Sequence, residues 1–285
     1  MSSFLENDKK LIDSAMSDAL VTESSDFNLI VEAMRYSALG GKRLRGILTL
    51  EFAKMLGCEF EEAMPYAVAV ECIQAYSLIH DDLPCMDDDD MRRGKPSCHI
   101  AFGEANALLA GDALLTHAFS AISESESAEK HPERAIKAIK CLSAFAGFRG
   151  MVGGQVLDLE AAEKEVDGKT LSLIHKLKTG ALIKSSVLMG CYAAGADDEI
   201  CDLSEKYSEG FGYAFQIIDD ILDFDGNYDT CELNSYVKVH GIEKAREDAL
   251  AHIESAGKVL EKLSEKGFCV DNFRYLLDFL IKRMK

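Results

Sequence analysis

Proline is scarce in this sequence: only four occur among 285 residues, and all four lie in the first half of the chain. No Pro-rich or Ser-rich linker separates two regions of different composition. A chain of this length is long enough for one large domain or two ordinary ones. Because no linker is evident, the sequence predicts a single domain over residues 1–285.

Basic residues are also few, since 31 Lys and Arg stand against 49 Asp and Glu, for a formal net charge of −18. This excess of negative charge argues against nucleic acid or an anionic membrane surface as a partner. Glu71 and Gln74 interrupt the most apolar candidate for a membrane span. The first residues, MSSFLENDKKLIDSAM, contain no apolar signal core. We therefore expect a protein without a stable membrane anchor.

Paired cysteine motifs are missing, although the chain contains nine cysteines. The number is odd, and no two cysteines have the CxxC spacing. This pattern favours reduced thiols over a disulfide framework or a zinc site, and it is typical of a cytosolic protein. The expected location is the cytoplasm.

Alternating β patterns are nearly absent, whereas apolar residues recur at helical spacing in almost every segment between the glycine-bearing turns. The sequence therefore predicts an all-α fold. The polar, turn-rich segment 225–241 is predicted to be a loop. Helices are predicted at 7–20, 28–38, 67–79, 104–122, 132–148, 150–163, 171–190 and 242–263, and from 271 onward.

Six aspartates lie between an apolar helix and two arginines in the segment ECIQAYSLIHDDLPCMDDDDMRRG, residues 71–94. Asp81 and Asp82 fall at the C-terminal end of the helix, where the macrodipole is already negative. Carboxylates are unfavourable there unless a cation is expected. Pro84 ends or kinks the helix, which allows Asp87 to face the same point as Asp81.

A second acidic cluster lies far downstream in FGYAFQIIDDILDF, where Asp219 and Asp223 are four residues apart on one helical face. If the two acidic helices pack side by side, their carboxylates face each other across an apolar slot. Such hard oxygen ligands suit magnesium, which completes its shell with water and substrate phosphates. The alternative is that each run is a solvated patch or a weak calcium site, although no calcium-loop motif is present.

The segment GGKRLRG, residues 40–46, combines glycines with cations at the start of a predicted helix. Free backbone N–H groups and cations together are typical of a diphosphate site. Lys42 and Arg45 are three residues apart and are expected to share a helical face. The alternative is a basic helix start on an acidic protein.

Two further segments place polar residues inside apolar helices. Gln155 and Asp158 are three apart on one face and need partners, either structural or at a polar opening. Lys178, Thr179 and Gly180 interrupt the helix at 171–190. This interruption indicates either a kink with carbonyls exposed to a ligand or a simple helix boundary.

In this order, GGKxxR, the first aspartate-rich segment with its arginine pair, GQxxDL, KTG and FQxxDDxxD resemble the motifs of the trans-isoprenyl diphosphate synthases. The match is closest to the bacterial farnesyl diphosphate synthase group and covers nearly the whole chain. The resemblance implies an isoprenoid synthase-type bundle of long antiparallel helices around a central cavity, usually a homodimer. It also implies condensation of isopentenyl diphosphate with an ionised allylic diphosphate, dimethylallyl or geranyl, followed by loss of a proton.

The resemblance also assigns roles to particular residues. Two or three Mg²⁺ ions would bridge the diphosphate, and cations would hold both substrates. Thr179, Gln216 and the break at Lys178 would present oxygen dipoles to the carbocation, and Lys178 would pair with diphosphate. No side-chain base is nominated, because the departing diphosphate would accept the proton. The metal set is Asp81, Asp82, Asp87, Asp219 and Asp223, Arg92 contacts the allylic diphosphate, and Gly41, Lys42, Arg45, Gln74 and Arg93 hold isopentenyl diphosphate.

Product length is expected to depend on the depth of the apolar slot. Tyr76 and Ser77 lie five and four residues before Asp81, about one helical turn below the predicted metal site. In the family, an aromatic residue at this position accompanies the fifteen-carbon product. We therefore expect farnesyl diphosphate, and the alternative is that Tyr76 is an ordinary core residue.

The chain departs from the family pattern after the second acidic motif. Relatives have a GKxxGxD loop and a further lysine there, whereas this loop is shorter and has neither, and Lys238 is out of register. Gly46 replaces a usual proline and is expected to affect only the helix start. The alternatives are a geranylgeranyl diphosphate synthase, a terpene cyclase or lyase, and a non-catalytic subunit. A cyclase would not need Lys42, Arg45 and Arg93, and a subunit would be expected to lose its aspartates.

Overall fold

The computed structural model describes residues 3–162, 164 and 166–284, and its architecture is all-α, as predicted. The last residue of the helix predicted at 150–163 lies outside this description. A 3₁₀ turn at Ser25–Phe27 and a π turn at Lys176–Gly180 accompany the helices. The α-helices are α1 Ser3–Ala19, α2 Asn28–Ala38, α3 Leu44–Met55, α4 Phe60–Asp81, α5 Cys98–Phe102, α6 Glu104–Ser123, α7 Glu126–Lys130, α8 Pro132–Ala146, α9 Met151–Ala162, α10 Gly168–His175, α11 Ala181–Ala194, α12 Asp198–Asp223, α13 Tyr236–His240, α14 Ile242–Glu265 and α15 Asp271–Arg283.

Local sequence explains where the helices that carry the acidic clusters start and stop. α12 begins because the Asp197 side chain caps the N–H of Ile200 at 2.8 Å, with Asp198 and Glu199 in the first turn. α11 ends at Gly195, whose φ of 71° is the left-handed conformation that glycine adopts most readily. The turn from Gly195 to Asp197 therefore sends α12 back alongside α11.

The core is centred on α4 and α11, which are apolar around most of their circumference. α11 buries residues on nearly every side and packs against α3, α4, α8 and α12. A helix that is hydrophobic all round is expected to be enclosed by other helices. Among the described residues, α4 and α12 are not one of the closely packed helix pairs, so the side-by-side packing that one hypothesis from the sequence assumed is not found; α11 lies against both of them instead.

The predicted helices are present, and three local details differ from expectation. The interruption at residues 178–180 is a π turn, so the chain continues through it as a helix instead of breaking. Arg92 and Arg93 lie in a short antiparallel hairpin formed by Met91–Arg92 and Lys95–Pro96. The sequence has no alternating pattern that predicts this hairpin. The loop at 225–241 contains the short helix α13. In the described part of the chain, no helix is long and apolar enough to span a bilayer.

Candidate active site

The first acidic cluster forms where the chain turns after α4. The N–H of Asp87 donates to the carbonyl of Asp81 at 2.9 Å, which returns the chain to the helix end. Burial raises the pKa of Asp81 to about 6, with repulsion from Asp87 adding to the effect and Lys178 opposing it. Burial likewise raises the pKa of Asp87, and Lys178 again opposes it. The predicted convergence of these two carboxylates is therefore present, with a lysine beside them.

Asp82 lies on the other side of the helix end and contacts the arginine hairpin. Its side chain is buried, and Nε of Arg92 donates to its carboxylate at 2.8 Å. A second nitrogen of Arg92 contacts the same oxygen and also donates to Asp89 at 3.2 Å. The proposed metal ligand Asp82 and the proposed diphosphate contact Arg92 are thus paired with each other here.

Arg93 follows in the hairpin with a left-handed φ of 54° and lies against Gly41. A Cβ on Gly41 would be 3.2 Å from the Arg93 guanidinium, so glycine allows the close approach of the two segments. This contact brings the GGKRLRG segment and the arginine hairpin together, as a shared diphosphate site requires.

Within GGKRLRG the structure corrects one prediction. Arg43 has a left-handed φ of 59°, and α3 begins only at Leu44, so Lys42 and Arg45 do not share a helical face. Arg43 is buried and pairs with Asp13 at 2.7 Å and with Glu71 at 3.2 Å, which makes it a structural residue. Lys42 is exposed, and its charge influences Asp219. Arg45 is half-buried; its Nε has no hydrogen-bond partner in the described part of the protein.

Gly46 affects more than the helix start, contrary to expectation. Its N–H donates to Oε1 of Glu71 at 2.8 Å, so this N–H is not free for phosphate. A proline at this position has no N–H and could not make the bond. The same Glu71 carboxylate holds Arg43, which ties the start of α3 to α4.

Lys178 lies in the π turn between the two acidic clusters. It forms an ion pair with Asp158 of α9, whose other oxygen accepts a hydrogen bond from Asn234 at 2.6 Å. Burial lowers the pKa of Lys178, but Asp158, Asp81 and Asp87 outweigh it, so the pKa is raised overall. The lysine therefore stays charged, and Asp158 has the structural partner that a half-buried carboxylate requires.

The π turn approaches α9 at Gly154. A Cβ on Gly154 would lie 2.2 Å from the backbone nitrogen of Lys178, a distance that no side chain tolerates. Gly154 thus permits the close packing of α9 against the π turn. The Nε2 atom of Gln155 is buried and has no partner among the described residues.

The second acidic cluster is held at the end of α12 by contacts from distant segments. Arg283 of α15 donates to Asp219 at 2.8 Å. Burial raises the pKa of Asp219, and Arg283 and Lys42 oppose the rise. Asp223 is exposed one turn further on. Asp219 therefore faces the cations of both the C-terminal helix and the GGKRLRG segment.

Asp220 points away from that cluster and anchors the following loop. It accepts hydrogen bonds from the N–H of Tyr236 at 2.6 Å and from Gln216 at 2.9 Å, and His175 lies 3.6 Å away. Burial raises the pKa of Asp220 to about 6 and lowers that of His175 to about 4. Asp220 belongs to the acidic motif found in the sequence, but no nearby residue in the sequence predicts its contact with Tyr236.

Two side-chain hydrogen bonds join the π turn to the end of α12. The hydroxyl of Thr179 donates to Oε1 of Gln216 at 2.7 Å, and Nε2 of Gln216 donates to Asp220. Because Lys178 is the neighbour of Thr179 and faces Asp81 and Asp87, the π turn connects both acidic helix ends.

Tyr76, Ser77 and Gln74 lie on α4 below the first cluster. Tyr76 is buried, packs edge-on against His80 at 5.7 Å, and has its pKa raised to about 12 by burial and then by Asp81. Ser77 is half-buried and donates to the carbonyl of Gln74 at 3.1 Å. Tyr76 is thus close enough to Asp81 for the carboxylate to affect its pKa, in agreement with its predicted position about one turn below the acidic cluster.

The carboxylates suit magnesium by chemistry, although they do not form a ready-made cage. In the residues that the structure covers, no three His, Cys, Asp or Glu side chains are grouped so that they could hold a metal ion. Magnesium commonly binds through one or two carboxylates together with water and substrate phosphates. Asp81 and Asp87 on one side and Asp219 on the other fit this mode of binding.

Comparison with known proteins gives a consistent result over nearly the whole chain. A family model described as polyprenyl synthetase matches residues 27–235. The chain is 44% identical to the farnesyl diphosphate synthase of Escherichia coli, over 90% of each chain. It is 40% identical to that of Bacillus subtilis, over 93% of each. A crystal structure of a geranyltransferase from Helicobacter pylori superposes with a TM-score of 0.87 at 31% identity, over 99% of each chain.

Proposed function

The chain belongs to the polyprenyl synthetase family, and we infer from this that it is a prenyltransferase of the farnesyl diphosphate synthase type. It has the all-α isoprenoid synthase fold and makes a short-chain trans-prenyl diphosphate. The observation that carries the assignment is the 44% identity to a farnesyl diphosphate synthase over nine tenths of both chains. The assignment of individual residues is a further proposal, supported by the geometry of the two acidic helix ends.

The allylic diphosphate is proposed to bind between these helix ends. Asp81, Asp82 and Asp87 on one side and Asp219 and Asp223 on the other would hold the two or three magnesium ions. Bound magnesium would neutralise the diphosphate as it leaves. The pairing of Asp82 with Arg92 supports a role for Arg92 at the same diphosphate, because it places a fixed cation beside the carboxylates.

Isopentenyl diphosphate is proposed to bind beside Gly41. Lys42, Arg45 and Arg93 are the cations assigned to it, and Gln74 is the amide. The contact between Gly41 and Arg93 supports this site, since it draws cations from two segments together. Among the described residues, Arg45 and Lys42 form no ion pair with a carboxylate, which leaves both cations suited to an incoming phosphate group.

Ionisation of the allylic substrate separates a carbocation from diphosphate, so the protein must stabilise both charges. The Lys178 ammonium is proposed to stabilise the departing diphosphate. The oxygen atoms of Thr179 and Gln216 are proposed to face the cation, and their mutual hydrogen bond supports a fixed orientation. The departing diphosphate is proposed as the proton acceptor, because no side chain is assigned as a base.

Farnesyl diphosphate is the proposed product. Tyr76, buried below Asp81 with Ser77 beside it, is proposed to form the floor of the apolar cavity. Geranylgeranyl diphosphate is the alternative product within the same class. The two products differ by one isoprene unit, so the position and size of the Tyr76 side chain are proposed to determine which of them is made.

A cytoplasmic homodimer of single-domain subunits is proposed for the protein. The free thiol state of all nine cysteines supports a reducing compartment. Val152, Val156 and Leu159 of α9 are between 40% and 51% exposed, although they form one apolar row. Exposed apolar rows of this kind mark interaction surfaces. Sedimentation velocity of the wild type and of Val156→Glu tests the proposal: a dimer that the variant converts to monomer supports it, and a monomeric wild type contradicts it.

The activity is tested with purified protein and magnesium. Dimethylallyl or geranyl diphosphate is supplied with and without isopentenyl diphosphate, and the products are separated by chain length. Farnesyl diphosphate formed only when both substrates are present is the expected result. Hydrocarbon or alcohol formed from the allylic substrate alone would identify a lyase. No turnover of any kind would identify a non-catalytic subunit, for which the loop without the family lysines is the one favourable feature.

A further inference from the structure

The loop at residues 225–241 is held against the end of α12 by a residue near its own C-terminal end. The N–H of Tyr236 donates to Asp220 of α12 at 2.6 Å, and the Tyr236 hydroxyl donates to Asp248 of α14 at 2.8 Å. The Tyr236 side chain is buried. The loop is therefore fastened both beside the second acidic cluster and to α14.

The only lysine in the sequence of this loop, Lys238, is used within the loop itself. Its ammonium donates to the carbonyl of Tyr228 at 2.6 Å. The hydroxyl of Tyr228 accepts the N–H of Ile242 at 3.1 Å, so the same tyrosine also joins the loop to the start of α14. Lys238 therefore stabilises the loop conformation, and the contact of the loop with the proposed site is made by a different side chain.

Asn234 is the loop residue that contacts the ion pair of Lys178. Its Nδ2 donates to Oδ1 of Asp158 at 2.6 Å, and Oδ2 of the same carboxylate pairs with the Lys178 ammonium. The side chains of Asp158 and Lys178 are 18% and 33% exposed, so solvent screens their interaction only in part. Each oxygen of Asp158 thus has its own donor, one from the loop and one from the π turn.

The Asn234 amide determines how Asp158 holds Lys178. Because the amide occupies Oδ1, the ammonium pairs with Oδ2. An ammonium has three donors, so those that Asp158 does not use remain for a phosphate oxygen. Asp81 and Asp87 help to raise the pKa of Lys178, so its ammonium lies within reach of the first acidic cluster. Without the amide, Asp158 could turn both oxygens toward Lys178 and draw it away from that cluster.

We propose that Asn234 is a positioning residue that acts through Asp158 on Lys178 and directs the ammonium toward the diphosphate. This inference rests on the proposed function, since it concerns the diphosphate that binds at the first acidic cluster. Asn234 does not itself touch the substrate. A neutral amide of the loop thereby controls the direction of a cation on the π turn, while the lysine of the loop is engaged elsewhere.

The test measures the binding of inorganic diphosphate to the full-length protein by calorimetry in excess magnesium, together with kcat for geranyl diphosphate. Asn234→Ala is expected to weaken binding and to lower kcat, each roughly 10-fold, because partners that orient a functional side chain typically contribute that much. The KM for isopentenyl diphosphate is expected to stay unchanged, since its proposed cations lie on other segments. Asn227→Ala is the matched control from the same loop: this exposed side chain accepts the N–H of Asp229 at 3.0 Å, and its loss should leave diphosphate binding unchanged.

Two further variants separate a positioning role from a packing role. Asn234→Asp keeps the shape of the side chain, but at neutral pH the new carboxylate has no donor for Asp158. It is expected to weaken diphosphate binding at least as much as Asn234→Ala, whereas a packing role would leave it close to wild type. In an Asp158→Asn background, Asn234→Ala is expected to have little further effect, because residues that act through one another are not additive.

Wild-type diphosphate affinity in both Asn234 variants would overturn the proposal, even if the melting temperature fell, because Asn234 would then be only a loop anchor. An equally large effect of Asn234→Ala in the Asp158→Asn background would also overturn it. Failure of the proposed function has a different signature: the wild type would bind diphosphate but form no elongated product from geranyl and isopentenyl diphosphate. If Asn234→Ala does not fold, Asn234→Asp gives the same comparison with wild type.

Discussion

The hydroxyl of Thr179 donates to Oε1 of Gln216 at 2.7 Å and so joins the π turn to α12. The amide of Gln216 in turn donates to Asp220, and the neighbouring Lys178 faces Asp81 and Asp87. Thr179 and Gln216 therefore link the π turn, which carries Lys178, to the acidic end of α12.

Thr179→Val keeps the shape of the side chain and removes its hydroxyl. We expect kcat to fall roughly 10-fold to 100-fold, because an oriented oxygen dipole near the developing cation is lost. Steady-state kinetics with geranyl and isopentenyl diphosphate measure the effect, and Thr179→Ser is the control that keeps the oxygen. An unchanged kcat in Thr179→Val would show that this hydroxyl does not act on the reaction.

Asp219→Asn removes the charge that faces Arg283 and Lys42 in the second acidic cluster. We expect kcat/KM to fall by at least about 100-fold, because removing one preorganised electrostatic group at a reacting site typically costs that much. Magnesium dependence of the rate is measured alongside. Asp202→Asn, at an exposed position on the same helix, is the matched control and should leave the rate unchanged. Equal effects of the two substitutions would contradict the site assignment.

Tyr76→Ala is expected to shift the product from fifteen carbons to twenty or more, because it removes the floor of the proposed cavity. Loss of a buried aromatic side chain also costs roughly 3–5 kcal/mol of unfolding free energy, so the assay is run well below the melting temperature. Tyr76→Phe keeps the volume and is expected to retain the farnesyl product. Products of unchanged length from Tyr76→Ala would show that Tyr76 is only a core residue.

Asp8 of α1 predicts a pH-dependent change in stability away from the site. It is buried near Glu51, and burial, with the neighbouring Glu51 carboxyl adding to the effect, raises its pKa from 3.8 to about 7. The folded state therefore retains a proton that the unfolded state releases, so this carboxyl lowers stability as pH rises from about 4 to 7. Asp8→Asn is expected to raise the unfolding free energy at pH 8 by at least about 1 kcal/mol, and to have little effect near pH 4.

Urea unfolding at pH 4 and pH 8 measures the effect of Asp8→Asn, and Asp13 is the control of opposite sign. Burial raises its pKa, but Lys9 and Arg43 outweigh burial, so the pKa is lowered overall. Asp13 therefore stabilises the folded state above its unfolded pKa, and this stabilisation is lost as pH falls through the lowered value. Asp13→Asn should destabilise the protein at pH 8. If Asp8→Asn and Asp13→Asn changed the unfolding free energy at pH 8 in the same direction, the opposite pKa shifts assigned to Asp8 and Asp13 would be refuted.

Gly154→Ala is expected to disturb the π turn, since the new methyl group would meet the backbone of Lys178. Both the melting temperature and kcat should fall, because Lys178 and Thr179 move together. Gly257→Ala in α14 is the matched control: nothing lies within 4 Å of a Cβ there. That substitution should stabilise the protein by up to about 1 kcal/mol through helix propensity. A neutral Gly154→Ala would show that the close contact relaxes without cost.

Periodicity predicted the helices well because their buried faces are long and regular. It could not predict the hairpin that carries Arg92 and Arg93, since two-residue strands have no alternation to detect. The three-residue spacing of Lys42 and Arg45 predicts a shared helical face. The left-handed conformation of Arg43 delays the start of α3 to Leu44, so Lys42 lies outside the helix. Single backbone angles of this kind have no reliable sequence signal unless glycine is present.

The sequence predicted the acidic residues of the proposed site, but it did not predict their partners in the structure. Arg283 reaches Asp219 across 64 positions, and Asn234 reaches Asp158 across 76. Such pairs depend on the packing of whole helices and leave no trace in local spacing. Asp158 gave a usable signal, because a carboxylate within an apolar segment requires a partner.

The π turn at Lys176–Gly180 contains one residue more than an α-helix of the same rise would need. That surplus acts as a phase shift of about 100° between α10 and α11. His175 can then point toward α13 while the first residues of α11 enter the core, although both belong to one nearly continuous rod. Removal of a single amino acid from this turn would rotate one half of the rod against the other, so the length of this segment is constrained more tightly than its composition.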